Sequence, residues 1–220
     1  MFIINCKNYD EIAGEKIIKI AKISERISKK YKVPIAIAPP HHLIPLITKF
    51  KITVLAQHVD DKKVGSTTGF MVPEIVKKSK INGSIINHSE HRISEREIIS
   101  LVKRLQKLKL KTVLCVKNVN EAKKFTKLNP TFIAIEPPEL IGTGRAISTE
   151  KPALITNAVK AVSSTKNSTK LLCGAGIVSG QDVSKAKELG SKGILVASGI
   201  VKAKNWEKII SEFCKGLKSQ

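Results

Sequence analysis

The sequence predicts a closed (β/α)8 barrel, parallel strands inside an outer ring of helices, and three observations carry that expectation. Eight short apolar runs recur along the 220 residues: Phe2–Asn5, Ile35–Ala38, Thr53–Gln57, Ser84–Asn87, Thr112–Val116, Phe132–Glu136, Lys170–Gly174 and Gly193–Ala197. Longer segments with helical periodicity lie between them. The repeat is about 27 residues, enough for a strand, a loop and a crossover helix. Eight such units close a barrel slightly shorter than the roughly 250 residues usual for this architecture.

Each run is apolar at nearly every position, as a strand buried on both faces requires. Glu15–Ser28 sets Ile17, Ile20, Ala21, Ser24 and Ile27 against Lys16, Lys19, Lys22 and Arg26, which is an amphipathic helix. Pro45 weakens any helix after the second run. The connection Val59–Val72, with Gly65 and Gly69, has no clear element. Glu95–Leu108 lines up Ile98, Leu101, Val102 and Leu105 behind Ser94, a residue that favours a helix start. Asn120 before Glu121 and Asn205 before Trp206 read as further caps. Ala153–Val162, Gln181–Leu189 and Trp206–Leu217 are also periodic, and Gly190 follows Leu189 where a helix wants a left-handed residue. No break in composition divides the chain, so residues 1–220 are expected to form one domain. The competing open doubly wound sheet would want a Gly-rich turn after the first strand, and that turn reads Cys6-Lys7-Asn8-Tyr9.

Composition narrows the function. The chain is 42% hydrophobic, which argues against disorder, and no apolar run approaches the roughly 20 residues of a membrane helix. Thirty-nine Lys and Arg against 18 Asp and Glu give a net charge of +21, which raises an anionic partner. The lysines fall singly or in pairs and aromatics are 4%, so a solvated basic surface is the better reading than specific nucleic-acid binding. Cys6, Cys115, Cys173 and Cys214 lie far apart with no metal-ligand spacing. The chain opens MFIINCK with no apolar core of signal-peptide length, so reduced cysteines and a cytoplasmic location are expected.

In a barrel of this kind chemistry sits at the C-terminal strand ends. The first run ends Asn5-Cys6-Lys7, the third Gln57-His58, the fourth Asn87-His88-Ser89-Glu90-His91-Arg92 and the sixth Glu136-Pro137-Pro138. The last two end in Cys173-Gly174-Ala175-Gly176 and Val196-Ala197-Ser198-Gly199, loops that offer bare backbone N–H groups to an anion. Amide, ammonium, imidazole and carboxylate therefore point toward one mouth.

These motifs resemble those of the triosephosphate isomerase family, in order and over essentially the whole chain. Asn5-x-Lys7 resembles its opening, His88-Ser89-Glu90 the run after its fourth strand, and Ile135–Gly144 its catalytic glutamate and hinged lid. Cys173–Ile177 and Leu195–Gly199 resemble its two phosphate loops. The short length and the His-Ser-Glu-His form suggest the compact archaeal branch. The resemblance implies an isomerase of glycolysis and gluconeogenesis that interconverts dihydroxyacetone phosphate and glyceraldehyde 3-phosphate through an enediolate, with no metal or organic cofactor. Glu136 would be the base, His88 the neutral electrophile, Lys7 and Asn5 the groups on the substrate oxygen, and Glu90 the partner of Lys7; this family is a worked example of such tuning. Ile141, Gly142, Gly176, Ala197 and Ser198 would hold the substrate phosphate beneath a lid over Pro137–Thr143.

Two further points follow from the likeness. Cys173 stands where the family usually has a tyrosine that latches the closed lid, so closure is expected to be weaker. Val64–Gly69 resembles the loop that enters the neighbouring subunit, with Thr68 beside Asn5 and Lys7, which implies a homo-oligomer, a dimer or a tetramer. His41, His42 and His91 read as surface or packing residues, His58 and Cys115 as structural, and Cys6 as a packing residue. The rival readings are another phosphate-binding barrel, which would share only the late glycine loops, and a nucleic-acid-binding role for the basic surface.

Overall fold

The computed structural model describes residues 1–140 and 142–218. Eight parallel strands close in sequence order: β1 (Phe2–Asn5), β2 (Ile35–Ala38), β3 (Thr53–Ala56), β4 (Gly83–Ile86), β5 (Lys111–Val116), β6 (Phe132–Ile135), β7 (Lys170–Cys173) and β8 (Ile194–Val196). β1 pairs with both β2 and β8, Ile3 lying opposite Ala36 on one side and Leu195 on the other, so no strand edge is left open.

Alternation along the strands sorts the apolar side chains into two clusters. Ile3, Leu55, Ile85, Val113, Leu172 and Leu195 fill the barrel interior. Phe2, Ile4, Ile37, Leu114 and Ile133 point outward into a larger layer shared with the helices. A strand can therefore be apolar at successive positions and still bury those side chains, whereas Lys111 and Lys170, at strand starts, are not buried.

The helices are α1 (Lys16–Tyr31), α2 (Ile44–Ile47), α3 (Pro73–Lys78), α4 (Glu95–Lys107), α5 (Val119–Thr126), α6 (Ile147–Glu150), α7 (Pro152–Ser163), α8 (Gly180–Glu188), α9 (Ser198–Val201) and α10 (Trp206–Lys218). α4 begins as expected: Ser94 Oγ accepts the Glu97 N–H while the Glu97 carboxylate accepts the Ser94 N–H. α8 ends on Gly190 at φ +98°, with the Ser191 N–H returning to the Ala186 carbonyl. The cap of α5 differs from expectation. Asn118, not Asn120, accepts the Glu121 N–H, because Oδ1 must stand three residues ahead of its donor. Pro45 opens the four-residue α2 rather than interrupting a longer helix, since its missing N–H costs nothing in a first turn.

The long connection 59–72 lacks a regular element but has a fastened base. Asp60 and Met71 exchange two bonds, Asp60 N–H to Met71 C=O and Met71 N–H to the Asp60 carboxylate. Arg104 on α4 grips Glu74, Asp61 and the Lys62 carbonyl. Val64 and Phe70 stand exposed within it. All four cysteines are buried and free. Burial pushes the thiols of Cys6, Cys173 and Cys214 up to about 12, and burial beside the Glu136 carboxylate holds that of Cys115 well above its ordinary value. No helix among the described residues is long and apolar enough to cross a membrane.

Candidate active site

Asn5 is the last residue of β1, and the turn after it is held in an unusual shape. Lys7 has φ +45°, a left-handed backbone that a lysine adopts at a cost. Both of its peptide groups are tied down: Asn5 Oδ1 accepts the Lys7 N–H at 3.1 Å, and Gln57 Nε2 donates to the Lys7 carbonyl at 2.9 Å. Gln57 also reaches the Ala38 carbonyl, joining the ends of β1, β2 and β3. Thus aimed, Lys7 Nζ meets Glu90 Oε1 at 2.7 Å, with the lysine side chain 16% exposed and the carboxylate 57%.

His88 lies just beyond β4, in a turn that brings the Glu90 N–H to His88 Nδ1 at 3.2 Å. Nδ1 is thereby an acceptor, so in the neutral ring the proton is on Nε2. Nε2 faces Glu136 Oε1 at 3.6 Å, too long for a direct hydrogen bond. The two groups instead flank one space.

Glu136 follows β6 and is 3% exposed, and its Oε2 has no hydrogen-bond partner in the protein. Burial pushes its carboxyl above the usual carboxylate range, against the opposing pull of His88, the Cys115 thiol, Lys7 and Arg92. Gly174 makes the space for it, since a Cβ there would lie 2.5 Å from Glu136 Cγ. Gly176, at φ +67°, passes so close to the Arg145 carbonyl that any side chain would overlap it. The loop after β7 and the segment around Arg145 therefore touch backbone to backbone.

One cavity gathers Asn5, Lys7, His88, Glu136, Gly142, Gly176, Ala197 and Ser198. These are the expected site residues except Glu90, which lies on an adjoining cavity, and Ile141, which falls outside the described residues. Ser198 and Gly199 open α9, where backbone N–H groups have no partner within the helix. No group of three or more His, Cys, Asp or Glu placed to hold a metal ion occurs among the described residues.

Three placements depart from the sequence reading. Cys173 is the last residue of β7, fully buried between barrel and helices and bonded to Ser191, so its thiol is committed to the wall rather than to the lid. Cys115, read as structural, points into the barrel end and hydrogen-bonds Glu136. Gln57 was visible as a polar strand end, but its grip on Lys7 is a contact between strands that no local pattern announces.

The adjoining cavity contains all five histidines of the chain. His58 stacks on His91 with ring centroids 3.9 Å apart, and its Nε2 lies 3.4 Å from Asp60 Oδ1. His41 faces Asp60, His42 and His91. Burial lowers both His41 and His58 below the ordinary 6.5, with repulsion from neighbouring imidazoles adding and Asp60 opposing. The native state thus binds fewer protons than the unfolded chain in this range. Stability should be constant above pH 6.5 and fall as pH drops below it, which urea midpoints measured between pH 7.5 and 5 would reveal.

The family model described as triosephosphate isomerase matches residues 1–213. A protein of Cenarchaeum symbiosum named triosephosphate isomerase is 52% identical over 99% of this chain and 97% of its own. Proteins of the same name from Methanocaldococcus jannaschii and Methanothermus fervidus are 41% and 40% identical, over 98% and 96% of this chain and 99% and 96% of theirs. With the barrel closed and the motifs gathered at its mouth, the chain belongs to the triosephosphate isomerase family.

Proposed function

We propose that this chain interconverts dihydroxyacetone phosphate and D-glyceraldehyde 3-phosphate, as an intramolecular oxidoreductase of glycolysis and gluconeogenesis. The observation that supports it best is the buried Glu136 carboxylate across 3.6 Å from a His88 Nε2 that carries a proton, above one cavity. Glu136 takes a proton from the carbon beside the substrate carbonyl. The C–H electron pair forms the C=C bond of the enediolate, and the carbonyl oxygen gains the charge. His88 Nε2–H and Lys7 Nζ receive that charge, Asn5 fixes the turn that carries Lys7, and Glu90 holds the ammonium in place. The hydroxyl proton of the enediolate passes to the former carbonyl oxygen. The C=C pair takes the returning proton at the neighbouring carbon as the new carbonyl forms at the first, and no external oxidant or reductant is needed.

The substrate phosphate would lie on backbone N–H groups of Gly142, Gly176, Ala197 and Ser198, with Ile141 beside them. At roughly 1.5–3 kcal/mol per bond to a charged group, three such bonds contribute about 4.5–9 kcal/mol. That is enough to hold a lid over Pro137–Thr143 and exclude water from Glu136.

We infer further that the chain assembles with copies of itself in the cytoplasm, the Val64–Gly69 loop placing Thr68 beside Asn5 and Lys7 of the neighbouring copy. Its fastened base and exposed Val64 and Phe70 support a protruding loop with a partner. A coupled assay with glyceraldehyde 3-phosphate tests the activity, and light scattering on the same sample tests the assembly. An active monomer would exclude the role given to Thr68. Salt-sensitive DNA binding in a chain without isomerase activity would favour the nucleic-acid reading instead.

A further inference from the structure

Asn87, between β4 and His88, is bonded in three directions. Its side chain is buried, 4% of the residue being exposed, and its backbone is left-handed at φ +56°. Nδ2 donates to the Cys115 carbonyl in β5 at 2.9 Å, and Oδ1 accepts the Ile93 N–H at 3.2 Å. The Asn87 carbonyl accepts Arg92 Nη1 at 2.8 Å, and the same guanidinium reaches the Cys115 carbonyl at 3.4 Å. Within this frame the His91 N–H bonds the His88 carbonyl, closing the turn that carries His88, Ser89 and Glu90.

The backbone region explains the residue type only in part. Asparagine tolerates a left-handed conformation better than most side chains, and glycine would do so at no cost. What glycine lacks is the pair of side-chain bonds. One ties the start of the turn to the neighbouring strand, and the other ties it to its own far end. A peptide fixed in this way fixes the direction in which the next side chain leaves the backbone. Cys115 adds a second connection, because its carbonyl holds Asn87 while its thiol bonds Glu136. The base and the imidazole are therefore referenced to one residue of β5.

We infer that Asn87 is a positioning residue for the isomerisation, holding the 88–90 turn so that His88 Nε2 faces Glu136 and Glu90 meets Lys7. It lines neither cavity at the barrel mouth and so acts through the turn it holds. The inference rests on the proposed role of His88 as electrophile.

Asn87→Gly keeps the backbone conformation and removes both side-chain bonds. The expected result is a kcat about tenfold lower with KM within about twofold, as befits a displaced electrophile and an intact phosphate site. The ¹⁵N spectrum of His88 should change from one tautomer, proton on Nε2, to a mixture. Asn82→Ala is the control for a structural effect. It deletes a side-chain bond to the Val54 N–H at the opposite end of the barrel and should lower the melting temperature without altering kcat or the His88 spectrum. Should Asn87→Gly not fold, Asn87→Asp keeps the acceptor for Ile93 and loses the donor to Cys115, and the same two readouts apply. A kcat within twofold of wild type, or an unchanged His88 spectrum, overturns the inference. His88→Asn separates the two readings: if it retains wild-type kcat, the electrophile role and this inference both fail. If it is crippled while Asn87→Gly is not, only the positioning role fails.

Discussion

Glu136→Gln should lower kcat by roughly 10³-fold, with KM changed little, in a coupled assay with glyceraldehyde 3-phosphate. The amide keeps the volume that Gly174 leaves open and so should keep the fold, which circular dichroism would check. What disappears is the carboxylate that faces His88 Nε2 at 3.6 Å, the base of the proposed reaction. A loss under tenfold would remove Glu136 from the role of base. The pH profile adds a second requirement. Burial raises the Glu136 carboxyl and proton abstraction needs its ionised form, so the acid limb of kcat/KM should lie above 4.5, the ordinary value for glutamate. A limb at or below that value would mean that water reaches the carboxylate freely.

Lys7→Met should cost about 10²–10³ in kcat and also raise KM, because in the proposed reaction the ammonium meets both the charge that develops on oxygen and the standing charge of the phosphate ester. Methionine keeps much of the chain length and the same backbone demand at φ +45°, so Asn5 and Gln57 still have their bonds to make. Glu90 loses its 2.7 Å partner but remains more than half exposed, where water replaces it. Glu90→Gln should therefore be the milder change, leaving Lys7 in place but less restrained. If Glu90→Gln is the more damaging of the two, the carboxylate does more than hold the lysine. Lys7→Arg should not restore activity, since a planar guanidinium cannot occupy the point that an ammonium does.

The sequence made the barrel legible because each strand is buried on both faces and so is apolar at successive positions. Its own chemistry blurs the boundaries. Gln57, Asn87, Glu136, Gly174 and Ala197 continue the runs by one residue, yet each lies just past the last paired position. A side chain can reach the mouth from there. The long helices were visible through their periodicity, whereas α2, α3, α6 and α9 are too short to show any. The reactive groups could be named because they stand at strand ends. The contacts that hold them could not, since Gln57 to Lys7, Cys115 to Glu136 and Asn87 to Cys115 all join separate strands. Cys173 shows the opposite limit: the motif placed it beside the lid, and only the packing of β7 reveals that its thiol faces the helices.

The sealed cysteines have a practical consequence. A thiol that ionises only near pH 12, with no surface open to solvent, is inert toward maleimides and iodoacetamide while the staves are shut. Labelling then waits for a spontaneous breach. Cys6 lies just past the first stave, Cys115 on the fifth, Cys173 on the seventh and Cys214 on the final helix. Their separate reaction rates, followed peptide by peptide, would time how often each of these four places comes apart.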